Sequence, residues 1–197
     1  RYLASGGWDR VIHVSDLQNG ESFSLTGHTQ MINDLVFGDR DGLLVSAGGD
    51  RMSPYDPASV RVWDLASRRA TEVVSLTSAA TAVARFGDRL LYGGYESCPP
   101  SLFSLRDSGS AEILPHSMSG SICWDLDADE SGSILAMGDG QGTLTLWNRD
   151  DKDRWRVLDR WVLGPAGGEL QSVSLSRNGE RLAVALGNGQ LILLARR

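Results

Sequence analysis

LASGGWD at residues 3–9 and LVSAGGD at residues 44–50 are two copies of one pattern: a leucine, a serine two positions later, a pair of glycines and a closing aspartate. Weaker copies lie at residues 91–96, 135–141 and 183–188. The polar residues that close the five copies stand at positions 9, 50, 96, 141 and 188, so successive copies are 41, 46, 45 and 47 residues apart. Five matches at a near-constant spacing indicate an internal structural repeat.

Each copy predicts short β-strands. Residues 43–46 and 182–186 are apolar or small at nearly every position and are bounded by glycine. Periodicity alone does not exclude a buried helix segment, but the short length and the flanking glycines favour a strand covered on both faces. Turn pairs agree with this interpretation, because Asn188 and Gly189 form a strong hairpin signal between two apolar runs.

A division into four strands fits each repeat. In the second repeat the predicted strands are 31–37, 43–47, 60–65 and 71–76. The first repeat lacks an innermost strand, and the last lacks a fourth. We therefore expect one domain over 1–197, with units at 1–26, 27–76, 77–115, 116–164 and 165–197. The period lies close to the ~40–45 residues of a propeller blade.

Composition limits the classes of partner. The chain has 197 residues, a net charge of −6 and a sequence pI near 5.0. An acidic chain argues against nucleic-acid binding, which rests mainly on cationic side chains at phosphates. No run approaches the ~18 apolar residues of a membrane helix, so we expect no membrane insertion. Two cysteines, Cys98 and Cys123, are too few for a disulfide scaffold, so we expect free thiols in an intracellular, cytoplasmic protein.

The repeat residues resemble those of the WD-repeat (tryptophan–aspartate) β-propeller family across essentially the whole chain. The motifs that carry the resemblance are Gly27-His28 and Trp63-Asp64 in the second unit, with Ser46 and Asp50 between them. TLTLWN at 143–148 is similar to the end of the family's third strand. The resemblance implies an all-β fold.

The resemblance also implies a structural role for four polar residues. His28, Ser46, Asp50 and Trp63 would form a chain of hydrogen bonds that ties the strands of one blade together. Buried polar groups must be satisfied, and a satisfied network fixes one packing. The other units lack one or more of these residues and should depend on apolar packing instead.

The two incomplete end units favour the C-terminal five blades of a seven-bladed ring, within the 4–8 blades that propellers show. In this family an N-terminal strand usually completes the last blade, which implies a strand from residues before Arg1. A complete five-bladed ring remains the alternative.

Catalytic and metal sites are not indicated. The three histidines, His13, His28 and His116, share no ligand spacing, so we expect no metal and no cofactor. The stretch GDGQGT at 138–143 lacks the lysine and the following helix of a phosphate-binding loop. The aromatic and basic run 154–161 fits an outer strand better than a nucleic-acid stacking surface.

Five residues near the ends of the repeats are candidates for partner binding. Trp, Tyr and Arg are enriched at interaction hot spots, and in the family these positions border one end of the central channel. The loop 51–59 is also an insertion relative to the first unit, and insertions in repeat proteins often form the binding face. The candidates are Trp8, Arg10, Arg51, Tyr55 and Tyr95. Simple packing against neighbouring loops is the alternative.

These observations favour a non-catalytic platform for a protein or peptide partner, within a multi-subunit complex or a larger chain. One alternative is a C-terminal sensor propeller of a larger signalling protein. A second is an enzyme with its active site in the channel, which would need convergent titratable groups at one channel mouth.

Overall fold

The chain is all-β. The computed structural model describes residues 1–38, 42–50, 52–53, 57–95, 98–105, 111–115, 121–164 and 168–196. No helix occurs within these ranges, and therefore none long and apolar enough to cross a membrane. The described strands are β1 (Tyr2–Gly6), β2 (Ile12–Asp16), β3 (Ser22–Leu25), β4 (Ile32–Phe37), β5 (Leu43–Gly48), β6 (Ala58–Asp64), β7 (Arg69–Leu76), β8 (Ala80–Phe86), β9 (Arg89–Gly94), β10 (Ser101–Ser104), β11 (Glu112–Ile113), β12 (Cys123–Ala128), β13 (Ile134–Asp139), β14 (Thr143–Arg149), β15 (Trp155–Val162), β16 (Leu170–Leu175), β17 (Arg181–Leu186) and β18 (Leu191–Ala195).

The strands form five antiparallel meanders, numbered here as sheets one to five along the chain. Sheets one and five have three strands, β1-β2-β3 and β16-β17-β18. Sheets two, three and four have four strands each, β4 to β7, β8 to β11 and β12 to β15. The observed strands begin and end within a residue or two of the predicted ones in the second repeat. Consecutive short strands joined by tight turns are what the apolar runs and turn pairs predicted.

Tight turns join the strands where the turn residues indicated. The hairpin at Asn188 and Gly189 closes with a backbone bond from Leu186 N to Gln190 O of 2.9 Å. Gly189 has a φ of 86°, a left-handed conformation that glycine adopts without a steric penalty. Here the sequence signal and the observed turn agree.

The sheets stack side by side around a shared axis. The first strands of sheets two to five lie innermost, in the order β4, β8, β12 and β16, and β1 packs beside β4. Apolar clusters fill the space between each pair of neighbouring sheets. For example, Ile12 and Val14 of sheet one pack with Leu44 and Trp63 of sheet two. A sheet covered on both faces explains why the strands are apolar at successive positions.

Both cysteines are free and buried, as the composition predicted. Burial raises the pKa of the Cys98 thiol to about 12, and that of Cys123 lies well above its usual value for the same reason. The thiolate is the reactive form, so both groups are protonated and inert near neutral pH. They belong to the apolar clusters between sheets two and three and between sheets three and four.

Candidate functional site: the channel mouth

The four inner strands share one irregularity near their first residues. The pairing of β4, β8, β12 and β16 with the next strand shifts register there, which leaves Asn33, Thr81, Trp124 and Gln171 outside the ladder. A β-bulge of this kind adds one unpaired residue and redirects its side chain. Because the bulge recurs at the same height in each sheet, it directs Asn33, Thr81 and Trp124 toward one end of the axis, called the channel mouth here.

Two of the bulged residues connect neighbouring sheets. The amide nitrogen of Asn33 donates to Gly49 O at 2.9 Å within its own sheet and to Ala80 O at 2.7 Å in sheet three. The hydroxyl of Thr81 donates to the backbone oxygen of Cys123 in sheet four. The channel mouth is therefore held together by side-chain bonds that cross from sheet to sheet.

Aspartates one residue further along the inner strands form a second set of hydrogen bonds between neighbouring sheets. Asp34 Oδ2 accepts the backbone N–H of Val83 in sheet three at 2.8 Å. Asp125 Oδ2 accepts from Val173 N at 2.8 Å and from Ser172 Oγ at 2.7 Å in sheet five. These carboxylates satisfy backbone groups that face the next sheet, so they contribute to the packing between blades.

A third aspartate also links two neighbouring sheets. The Oδ2 of Asp127 accepts from Leu175 N in sheet five at 2.7 Å. Burial raises the pKa of Asp34 to about 6, and the nearby Asp125 carboxylate acts in the same direction. These roles were not predicted from the sequence. The sequence feature that could have indicated them is the occurrence of aspartates within strand-like segments, as at Asp125 and Asp127.

The predicted network in sheet two is partly present. Trp63 Nε1 donates to Ser46 Oγ at 2.8 Å, and Ser46 Oγ lies 2.6 Å from His28 Nε2. All three residues are buried. Burial is the main reason that the pKa of His28 is lowered to about 4, and the positive charge of Arg61 acts in the same direction. The ring is therefore neutral near pH 7.

Asp50 lies outside this network, which differs from the arrangement the resemblance implied. Its Oδ1 accepts the backbone N–H of Met52 at 2.8 Å, and its own carbonyl accepts from Ser53 N at 3.2 Å. The second ring nitrogen of His28 lies 3.4 Å from Ser59 Oγ instead. The physical reason is local: the inserted loop begins directly after Asp50, and the carboxylate caps its first turn by accepting from Met52 N.

A cavity of about 510 Å³ opens at the channel mouth. Trp8 and Met52, which are 85% and 81% exposed, stand at its edge. Its walls are formed by residues of sheets two, three and four and of the turn after β1. The lining residues are Trp8, Met31, Asn33, Gly49, Asp50, Met52, Ala79, Thr81 and Trp124. Among these described lining residues, only Asp50 has an ionisable side chain.

The structure places the five candidate partner residues differently from one another. Trp8 lines the cavity. Arg10 is exposed and its guanidinium donates to Thr29 O at 3.4 Å. Tyr95 is half-buried and is not among the lining residues, and its backbone N–H donates to Ala79 O at 3.0 Å. Arg51 and Tyr55 lie outside the described residues.

Sequence reasoning missed three residues that line the cavity, Met31, Met52 and Trp124, as binding groups. Trp124 is itself a bulged residue and Met31 lies two residues before the bulged Asn33, and residue types do not indicate where a bulge occurs. No group of three or more His, Cys, Asp and Glu side chains able to hold a metal ion occurs within the described ranges.

Comparison with known proteins identifies the architecture. The family described as "WD40: WD domain, G-beta repeat" matches residues 20–53, which include His28, Ser46 and Asp50. The THO complex subunit 6 homolog of Danio rerio is 31% identical over 150 residues. The chain is a member of the WD-repeat family.

The two similarities cover different shares of this chain and of the proteins it matches. The match to the Danio rerio protein covers 70% of this chain but 42% of that protein, so the chain spans less than half the length of its relative. A chain in the crystal structure of the mitotic checkpoint complex superposes with a TM-score of 0.80 at 19% identity, covering 99% of this chain and 59% of the other. That second similarity shows the WD-repeat propeller fold alone.

Proposed function

We propose that this WD-repeat chain is a non-catalytic platform that recognises a protein or peptide partner at the channel mouth. The observation that carries the proposal is the placement of Trp8 and Met52, two large apolar side chains that are more than four-fifths exposed beside one cavity. Both types of side chain are enriched at interfaces, and two of them exposed beside one cavity form an apolar patch of the kind that a partner covers. The enzyme alternative lacks comparable support, because Asp50 alone of the described lining residues is ionisable.

Membership of a multi-subunit complex is part of the same proposal. One relative is named as a subunit homolog of the THO complex, and one structural neighbour comes from the mitotic checkpoint complex. The division into five units, a ring of seven blades and a location in the cytoplasm also remain proposals. Exposure of Leu3 in β1 and of Leu191 and Leu193 in β18 supports further packing against the two end sheets.

Site-directed photo-crosslinking tests the proposed surface. Benzoylphenylalanine is placed at Met52 in the full chain, and the adducts formed in cells are compared with those formed from position 17. Leu17 is the matched control, because it is also apolar and 67% exposed but lies in the β2–β3 turn. We expect discrete protein adducts from position 52 that are lost when Trp8→Ala is added. Adducts of equal number and identity from both positions would contradict the proposal.

A further inference from the structure

The chemistry of the cavity walls restricts what the partner can insert. Two indoles, Trp8 and Trp124, and two thioethers, Met31 and Met52, provide aromatic and apolar surface. Asp50 provides a carboxylate in the same wall, and one of its oxygens is held by the N–H of Met52. Indole faces attract cations, and a long basic side chain combines an apolar stem with a charged end.

The charge at the cavity is negative as well. The carboxylates of Asp34 and Asp125, one residue beyond the lining residues Asn33 and Trp124, are bonded to backbone N–H groups of the next sheet, which leaves Asp50 as the charged group among the described lining residues. The described lining residues include no cation, and the guanidinium of Arg10, the described cation next to Trp8 in the chain, is directed to Thr29 O. The whole chain has a net charge of −6. The field at the channel mouth therefore favours a positive group and opposes a phosphate.

We propose that the channel mouth binds a basic side chain, arginine or lysine, carried by a peptide segment of the partner. The side chain stem lies against Met31 and Met52, the charged end stacks on an indole, and Asp50 pairs with it. A cavity of about 510 Å³ has room for the side chain and for the residues on either side of it. This inference rests on the proposed function, because it names the chemistry of the partner at the same site.

NMR of the indole N–H groups in the full chain tests the inference. The probes are N-acetylarginine methylamide with its neutral citrulline counterpart, and N-acetyllysine methylamide with its side-chain-acetylated counterpart. We expect saturable shifts of the Trp8 and Trp124 signals with the charged probes, and about tenfold weaker binding of the neutral ones. Trp63 and Trp147 are internal controls, since they are 1% and 0% exposed and should not shift.

Substitution of the carboxylate provides the second arm. Asp50→Asn keeps the oxygen that accepts from Met52 and removes the charge, so we expect about tenfold weaker binding of the charged probes and no change for the neutral ones. Glu21→Gln is the matched control, because Glu21 is an exposed carboxylate between β2 and β3. Raised salt should weaken only the charged probes.

Each unfavourable outcome has a defined meaning. Equal binding of charged and neutral probes overturns the basic anchor but leaves the cavity as the docking surface. Unchanged indole signals with every probe also overturn it, and the crosslinks from position 52 then decide the proposed function separately. Shifts of the same signals with an oligouridine but not with the charged probes would replace the peptide by RNA. A preference for the charged member in either pair, lost in Asp50→Asn, supports the inference.

Discussion

Replacing Ser46 with alanine removes the one hydroxyl that joins the two buried rings of sheet two. Ser46 is 0% exposed and its oxygen accepts from Trp63 Nε1 at 2.8 Å and lies 2.6 Å from His28 Nε2. The variant loses two hydrogen bonds worth about 1 kcal/mol each and leaves an indole N–H buried without an acceptor. We therefore expect the free energy of unfolding to fall by about 2–4 kcal/mol.

Urea unfolding followed by far-UV circular dichroism at neutral pH measures this loss. Ser15→Ala is the matched control, because Ser15 is also a strand serine with a hydroxyl bond, to Ser22 Oγ at 2.9 Å, but that bond is exposed. We expect the control to change the free energy of unfolding by less than about 0.5 kcal/mol. A Ser46→Ala, Trp63→Phe double-mutant cycle should give a coupling energy of about 1 kcal/mol.

Two results would refute the reasoning. If Ser46→Ala lowers the urea midpoint no more than Ser15→Ala does, the buried bonds contribute nothing beyond an exposed one. If the effects of Ser46→Ala and Trp63→Phe add fully, the two side chains do not act together. A change in the slope of the transition rather than its midpoint would instead point to a change in the unfolded ensemble or a loss of two-state behaviour.

Three further predictions concern the packing between and within sheets. Asp125→Ala should leave the Val173 N–H without its acceptor and cost about 1–3 kcal/mol, seen as faster hydrogen exchange at that amide. Gly94→Ala should cost about 1–3 kcal/mol in urea unfolding, because a Cβ there would overlap the carbonyl of the residue before β8, whereas Gly7→Ala meets nothing within 4 Å and should be near neutral. His28 has a pKa of about 4 when folded and 6.5 as its ordinary value, so the unfolded chain binds more protons between these values. The His28 contribution to stability is thus fully present above pH 6.5 and is lost as the pH falls to about 4, and in His28→Gln the urea midpoint should lose this dependence.

The sequence predicts the strands well because their cause is local. A strand covered on both faces must be apolar at successive positions, and a tight turn needs a residue that accepts positive φ, as Gly189 does. The bonds of His28, Ser46 and Trp63 are different, because they join residues 17 and 18 positions apart. The family resemblance, rather than any local pattern, implied them.

The cavity was harder to predict, because it depends on irregularities that the residue types do not encode. A register shift at the start of each inner strand decides which side chain turns toward the channel mouth, and Trp124 lies there for that reason. Asp50 differs in the other direction, since the family resemblance placed it in the network while its carboxylate accepts from the backbone N–H of Met52 instead. The first difference depends on how the strands pair and the second on the turn that begins at Asp50, and in both the backbone geometry rather than the residue type decides.

The channel mouth links recognition to the stability of the assembly of sheets. Asn33 and Thr81 line the cavity, and their side chains also bond to the next sheet. An occupant that contacts Trp8, Asn33, Thr81 and Trp124 touches parts of sheets one to four at once, so it binds only the packed arrangement. Ligand binding that requires the folded state stabilises that state by an amount that grows with the logarithm of the ligand concentration above the Kd. Because the bonds between sheets already hold these walls in place, little ordering is required on binding, and that preorganisation is the physical reason why a sheet assembly of this kind suits a recognition platform.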